Sequence, residues 1–181
     1  MNNYKIVFMG TPDFGIPSLN ELYKQGYEVE AVYTQPDRVN KRGNKVQFSA
    51  VKQFALEHDI TIYQPNSLKD EKELDVLRAL NPDLIIVIAY GKILPQAVLD
   101  IPKYGVINVH ASLLPKYRGA APVQRSIIDG EETTGVTIMQ LDAGMDTGNI
   151  IAEKSVFITP HMTSEDLFDV LSNVGAKLLI D

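Results

Sequence analysis

Apolar positions in this chain change period several times. Residues 4–9, 29–34, 61–63, 84–89 and 106–109 are short runs rich in β-branched and aromatic side chains, the pattern expected of strands. The run 84–89 reads Leu-Ile-Ile-Val-Ile-Ala and has no polar residue for either face, which predicts a strand covered on both sides. Between these runs, residues 17–25, 49–58 and 69–80 carry helical spacing. Leu74, Leu77 and Leu80 recur every third position, and Phe54 and Leu56 flank the start of the stripe in the segment before them. Strands that alternate with helices in this way are expected to be parallel and joined by right-handed crossovers.

The expected fold is therefore α/β: a Rossmann-like, doubly wound, mostly parallel sheet flanked by helices. Its ligand site should lie beyond the carboxyl ends of the strands, where strand order reverses. Later in the chain, residues 135–141 and 149–156 read as two more strands, joined by a loop over 142–148 with glycines at 144 and 148. Thr163 or Ser164 can cap a last helix with Leu167, Leu171, Val174 and Leu178 on one stripe,. No glycine or proline stop follows by Asp181, which reads as a chain cut in or just after a helix.

Composition narrows the picture. At 181 residues, 45% apolar, the chain suits one domain with a real core. It has no cysteine, which removes disulfides, thiolate metal sites and thiol nucleophiles and fits a cytoplasmic protein. No apolar run is long enough to cross a bilayer, and the first residues read as a strand rather than a secretion signal. The net charge of −6 argues against a domain that grips nucleic acid with its whole surface. The exception lies between Gln35 and Lys52, where Arg38, Lys41, Arg42, Lys45 and Lys52 face a single Asp37. This stretch reads either as a solvated loop or as a local phosphate-binding patch.

Candidate chemistry gathers at the fifth strand. Asn108 and His110 are two apart, so they share one face. An amide there can donate to a developing negative oxygen, and an imidazole can move a proton near neutral pH. Asp146, in the later loop, could orient His110 and favour its protonated form. Each residue alone also has an ordinary structural reading. The first turn, Gly10-Thr11-Pro12-Asp13-Phe14-Gly15, matches neither the dinucleotide fingerprint nor a P-loop. Its glycines serve either backbone geometry or a phosphate, and Phe14 is a candidate ligand contact. His58 and His161 lack neighbours at metal spacing, so no metal is expected.

The run Asn108-Val109-His110-Ala111-Ser112-Leu113-Leu114-Pro115-Lys116-Tyr117-Arg118-Gly119, followed by Leu141-Asp142-Ala143-Gly144-Met145-Asp146, resembles the signature of the folate-dependent formyltransferase family. The resemblance implies Asn108, His110 and Asp146 as the catalytic set and 10-formyltetrahydrofolate as the donor. It implies folate contacts at Ser112, Leu113, Leu114 and Pro115, and a pterin pocket at Ile88, Tyr90, Gly91, Ile93, Leu94 and Asp142. The opening Phe-Met-Gly-Thr-Pro-Asp-Phe-Gly, the stretch Gly-Ala-Ala-Pro-Val-Gln at 119–124 and the basic loop after Gln35 are similar to the branch that acts on initiator methionyl-tRNA. That branch would use Phe14, Arg38, Lys41, Arg42 and Lys45 toward methionine or tRNA. The loop reads Val39-Asn40-Lys41 where Pro-Ala-Gly is usual, and Arg125 replaces a common aromatic. The resemblance makes residues 1–181 a monomeric catalytic domain without the C-terminal β-barrel that binds tRNA. The alternatives are a formyltransferase for a sugar amine or glycinamide ribonucleotide, a dinucleotide-binding domain, and a catalytically weak interaction fragment.

Overall fold

The computed structural model describes residues 4–39 and 45–181. A seven-stranded sheet forms its centre. In chain order the elements are β1 (Lys5–Gly10), a 3-10 turn (Asp13–Gly15), α1 (Ile16–Lys24), β2 (Glu28–Tyr33), β3 (Arg38–Val39), β4 (Val46–Gln47), α2 (Ala50–Glu57), β5 (Thr61–Tyr63), α3 (Glu71–Leu80), β6 (Leu84–Ile88), α4 (Gln96–Leu99), β7 (Val106–His110), α5 (Pro122–Ile128), β8 (Thr133–Gln140), β9 (Ile150–Phe157) and α6 (Ser164–Ile180). Strand order across the sheet is β5-β2-β1-β6-β7-β8-β9. The first five strands are parallel, and β8 and β9 join as antiparallel neighbours. The chain runs outward from β1 through β2 to β5, then returns to β6 on the other side of β1. The reversal point is thus the crevice between β1 and β6, as a doubly wound sheet requires.

Alternation along the strands divides the core in two. Ile6 and Phe8 face a cluster with Leu19 and Leu22 of α1, Val51 and Phe54 of α2, and Leu167 and Leu171 of α6. Val7 and Met9 face the other cluster, with Leu74 and Leu77 of α3 and Val98 and Leu99 of α4. Ile85 to Ile88 are buried without a break, as a strand covered on both faces must be. On α2 the buried set is Val51, Phe54 and Ala55, at helical spacing, while Leu56 is exposed.

Two close approaches fix the geometry next to the crevice. A Cβ on Gly10 would stand 2.7 Å from the Phe8 ring and 2.8 Å from the Ile88 carbonyl. The first turn therefore has a glycine because β1 and β6 leave no room for more. A Cβ on Gly175 would stand 2.9 Å from Val109, so α6 lies directly on β7. The α6 N-terminus carries a capping box. The Thr163 side chain accepts from the Asp166 N–H, and the Asp166 carboxylate accepts from the Thr163 N–H,. The Thr163 hydroxyl, which also donates to that carboxylate at 2.7 Å, and then the Thr163 N–H hold the Asp166 carboxyl below its ordinary range.

Four short elements escape the sequence patterns. The helices α4 and α5 are too short to establish a period, and the β3–β4 hairpin contributes only two residues per strand.

Candidate active site

A cavity of about 880 Å³ opens at the carboxyl ends of β6 and β7, within the range of sites for small organic ligands. Both core clusters contribute to its lining. Tyr90, Leu94 and Leu99 come from one, and Phe14, Ala111 and Val123 from the other. Phe168 of α6 completes the second group, edge-on to Phe14 with ring centroids 4.9 Å apart. The Ser172 hydroxyl on the same helix donates to the Phe14 carbonyl at 3.0 Å, which ties the first turn to α6.

Polar groups converge on this apolar hollow. Asn108 and His110 sit on β7, and both line it. The Asn108 side chain has no hydrogen-bond partner among the described residues. His110 is 7% exposed. Its Nδ1 lies 3.6 Å from Asp146 Oδ2, and its Nε2 donates to the Tyr117 carbonyl at 2.9 Å. Asp146 Oδ2 also accepts the Gly119 N–H at 2.7 Å, and the Asp146 carbonyl accepts from Arg118 Nε at 3.0 Å. Gly119 holds a φ of +81°, which a side chain would strain. At 3.6 Å the imidazole and carboxylate are at ion-pair distance but beyond a hydrogen bond. A proton arriving on Nδ1 would be attracted by that carboxylate.

The loop after β6 is fixed from several sides. The Lys92 ammonium donates to the carbonyls of Pro65 and, at 2.8 Å, Asn66, and desolvation lowers its pKa. The Tyr90 carbonyl accepts from Thr11 Oγ1 at 3.0 Å and from Gln35 Nε2 at 3.1 Å. The Tyr90 ring is buried, and its hydroxyl has no partner among the described residues. Desolvation, helped by Glu73, pushes that phenol up to about 12. In the later loop, Asp142 Oδ1 accepts from the Gly144 N–H at 2.9 Å and the Thr147 hydroxyl at 2.7 Å.

The structure brings Phe14, Tyr90, Gly91, Ile93, Leu94, Asn108, His110, Asp142 and Asp146 to one cavity. It keeps other expected residues away from it. Ile88 is wholly buried in the sheet and packs in the first core cluster. Ser112, Leu113, Leu114 and Pro115 are also not among the lining residues. Ser112 is fully buried, donates to the Lys116 carbonyl at 2.6 Å, and lends its own carbonyl to Thr137 at 2.7 Å. The Leu114 N–H donates to the same Thr137 hydroxyl at 3.1 Å, and Leu113 packs where Gly135 leaves space. This stretch is a brace between β7 and β8. Arg38 and Lys45 are exposed at the β3–β4 hairpin, while Lys41 and Arg42 lie outside the described residues. Lys52 is paired locally, with Asp37 at 2.5 Å and Gln64 at 3.0 Å.

Sequence reasoning missed Lys92, Met145 and Phe168 as lining residues. Nothing in the spacing of α6 distinguishes Phe168 from any other helix residue near the core. Among the described residues, no three His, Cys, Asp or Glu side chains cluster as a metal site would require. No described helix is long and apolar enough to cross a membrane.

The Formyl transferase family profile matches residues 4–181. A methionyl-tRNA formyltransferase of Clostridium perfringens is 56% identical over 97% of this chain and 57% of the relative. One from Legionella pneumophila is 49% identical over 100% of this chain and 58% of the relative. The chain thus spans somewhat over half the length of the curated relatives it matches. A phosphoribosylglycinamide formyltransferase from Bacillus halodurans superposes with a TM-score of 0.80 at 24% identity, covering 96% of this chain and 90% of that one. At that identity the likeness speaks to the fold.

Proposed function

This chain belongs to the formyl transferase family, and on that premise we propose that it moves a formyl group from 10-formyltetrahydrofolate to the α-amine of initiator methionyl-tRNA. The observation that carries the reading is the Asn108 amide, without a hydrogen-bond partner among the described residues, in the same mostly apolar cavity as the His110–Asp146 pair. The resemblance to methionyl-tRNA formyltransferases over nearly the whole chain supports the acceptor.

The lining fits the proposed donor. Tyr90, Leu94 and Leu99 offer apolar surface for a flat heterocycle, and Asp142 offers a carboxylate to its N–H groups. The donor supplies the formyl carbon. Asn108 donates to the formyl oxygen as the amine adds and negative charge gathers there, and such a donor is worth about 10²–10³ in turnover. His110 carries the proton from the attacking amine toward the leaving nitrogen, directly or through a water. Asp146 stabilises the imidazolium formed on the way. Phe14, against Phe168, offers an apolar contact to the methionine side chain or terminal adenosine. The basic residues Arg38, Lys41, Arg42 and Lys45 meet acceptor-end phosphates. In this reading residues 1–181 are the catalytic domain, and the further length of the relatives holds the tRNA-binding part.

The test is transfer from labelled 10-formyltetrahydrofolate to a panel of amines, using this chain and a form as long as the relatives. Label should appear on methionyl-tRNA. Label on glycinamide ribonucleotide or an amino sugar instead, or on no amine with either form, would overturn the reading.

A further inference from the structure

We propose that Tyr117 is a positioning residue that makes Nδ1 the working nitrogen of His110, an inference that rests on the formyl-transfer reading above. A carbonyl oxygen can only accept, so the 2.9 Å contact with Tyr117 requires a hydrogen on Nε2,. Neutral His110 therefore keeps its lone pair on Nδ1, the atom that faces Asp146 Oδ2 at 3.6 Å. A lone pair and a carboxylate form no hydrogen bond. Asp146 thus selects no tautomer in the resting state, and the Tyr117 carbonyl does. Asp146 acts once Nδ1 has gained its proton.

The Tyr117 carbonyl is aimed by effort elsewhere in the molecule. Its residue has a φ of +57°, a region that side chains disfavour and that persists only where the surroundings impose it. The phenol oxygen lies 2.8 Å from Asp129 Oδ2 and 2.9 Å from Glu131 Oε1, beyond the end of α5. Desolvation and these two carboxylates hold the phenol above its ordinary pKa, so it stays a donor. Lys116 pairs with Glu131 at 2.7 Å. The Arg125 guanidinium lies 5.2 Å from the Tyr117 ring centroid and donates to the Arg118 carbonyl at 3.3 Å. The Ser112 hydroxyl holds the Lys116 carbonyl. Two residues after Tyr117, the same turn offers the Gly119 N–H to Asp146. One anchored turn thus sets both the imidazole and the carboxylate, while Tyr117 is not among the cavity's lining residues.

The consequence for the reaction is directional. As the amine nitrogen bonds to the formyl carbon, its proton passes to Nδ1. As the carbon–nitrogen bond of the donor breaks, that proton passes from Nδ1 to the departing nitrogen. Nothing is oxidised or reduced, and Nε2 keeps its hydrogen throughout.

Histidine-labelled protein read by long-range 1H–15N spectra, with His58 and His161 as internal references, tests this without any substrate. Wild-type neutral His110 should carry its hydrogen on Nε2. Tyr117→Phe, which keeps the ring and removes the phenol's hydrogen bonds, should mix the tautomers. It should also lower kcat about 10-fold while each KM stays within about twofold. A D129A/E131A double variant removes the same anchor from the other side and serves if Tyr117→Phe does not fold. A wild-type Nδ1–H tautomer overturns the proposal, as does any variant in which tautomer and kcat fail to change together. A chain that formylated none of the amines tested would still report its tautomer, so failure of the functional reading is separately visible.

Discussion

Replacing Asn108 with alanine separates chemistry from folding more cleanly than any other change at this site. The amide is half-buried on β7 and has no hydrogen-bond partner among the described residues. Its removal therefore orphans no buried group, the usual source of a large stability loss. We expect a loss of no more than about 1 kcal/mol, or about 2–4 °C in Tm for a domain of this size. The reaction should respond very differently. A single donor to a developing oxyanion is worth about 2.7–4 kcal/mol in such a site. At about 1.4 kcal/mol per tenfold, that is a drop in kcat of about 10²–10³. The assay is steady-state transfer at saturating donor and acceptor, beside a thermal melt of the same preparation. Asn108→Asp sharpens the test, because a carboxylate would repel the oxyanion and should leave less activity than alanine does. Turnover within tenfold of wild type for Asn108→Ala, or Asn108→Asp more active than Asn108→Ala, would refute the donor role.

Other expectations follow from packing, capping and charge. Gly10→Ala should cost about 1–3 kcal/mol by denaturant titration, because its methyl group would meet the Ile88 carbonyl and the Phe8 ring at under 3 Å,. Thr163→Ala should cost about 1 kcal/mol through the lost α6 cap. The Asp166 carboxyl in that cap is held below its unfolded value. Its contribution is present above about pH 4 and fades as pH falls through the lowered folded pKa. The gap in Tm between wild type and Asp166→Asn should therefore close on acidification from pH 6 to pH 2, and a gap that widened would contradict the linkage. Replacing Arg38 and Lys45 by alanine should lower the salt dependence of methionyl-tRNA binding by about one ion per residue and leave the donor KM unchanged.

The parallel half of the fold was legible because its strands carry strong signals. The run 84–89 has no polar residue and became β6, and the apolar run in 4–9 became β1, buried from Ile6 to Gly10. The α5 helix was not legible. It has seven residues and starts after Ala121, whose left-handed φ of 56° leaves no mark in the side-chain pattern. At the site, period two placed Asn108 and His110 on one face, but only the resemblance implied them as catalytic. Asp146 was readable only with the resemblance, since nothing in a loop states which strand end it will face. The resemblance implies folate contacts at Ser112–Pro115, where the structure shows bonds that tie β7 to β8. A strongly patterned stretch can bind a ligand or hold two strands together, and sequence does not separate these. The Ser112 hydroxyl on the Lys116 carbonyl and the Thr137 bonds show that it does the second. Arg125, which had no role in the sequence, acquires one over the Tyr117 ring.

His110 ends a strand of the parallel array, while Asp146 belongs to the loop of the antiparallel β8–β9 ribbon. The pair proposed to move the proton is consequently split between two topological halves and exists only after the ribbon has docked. A folding species with the parallel layers complete and the ribbon still loose would be compact yet inert. Recovery of turnover during refolding would then time the closure of one seam, β7 against β8, rather than collapse of the core.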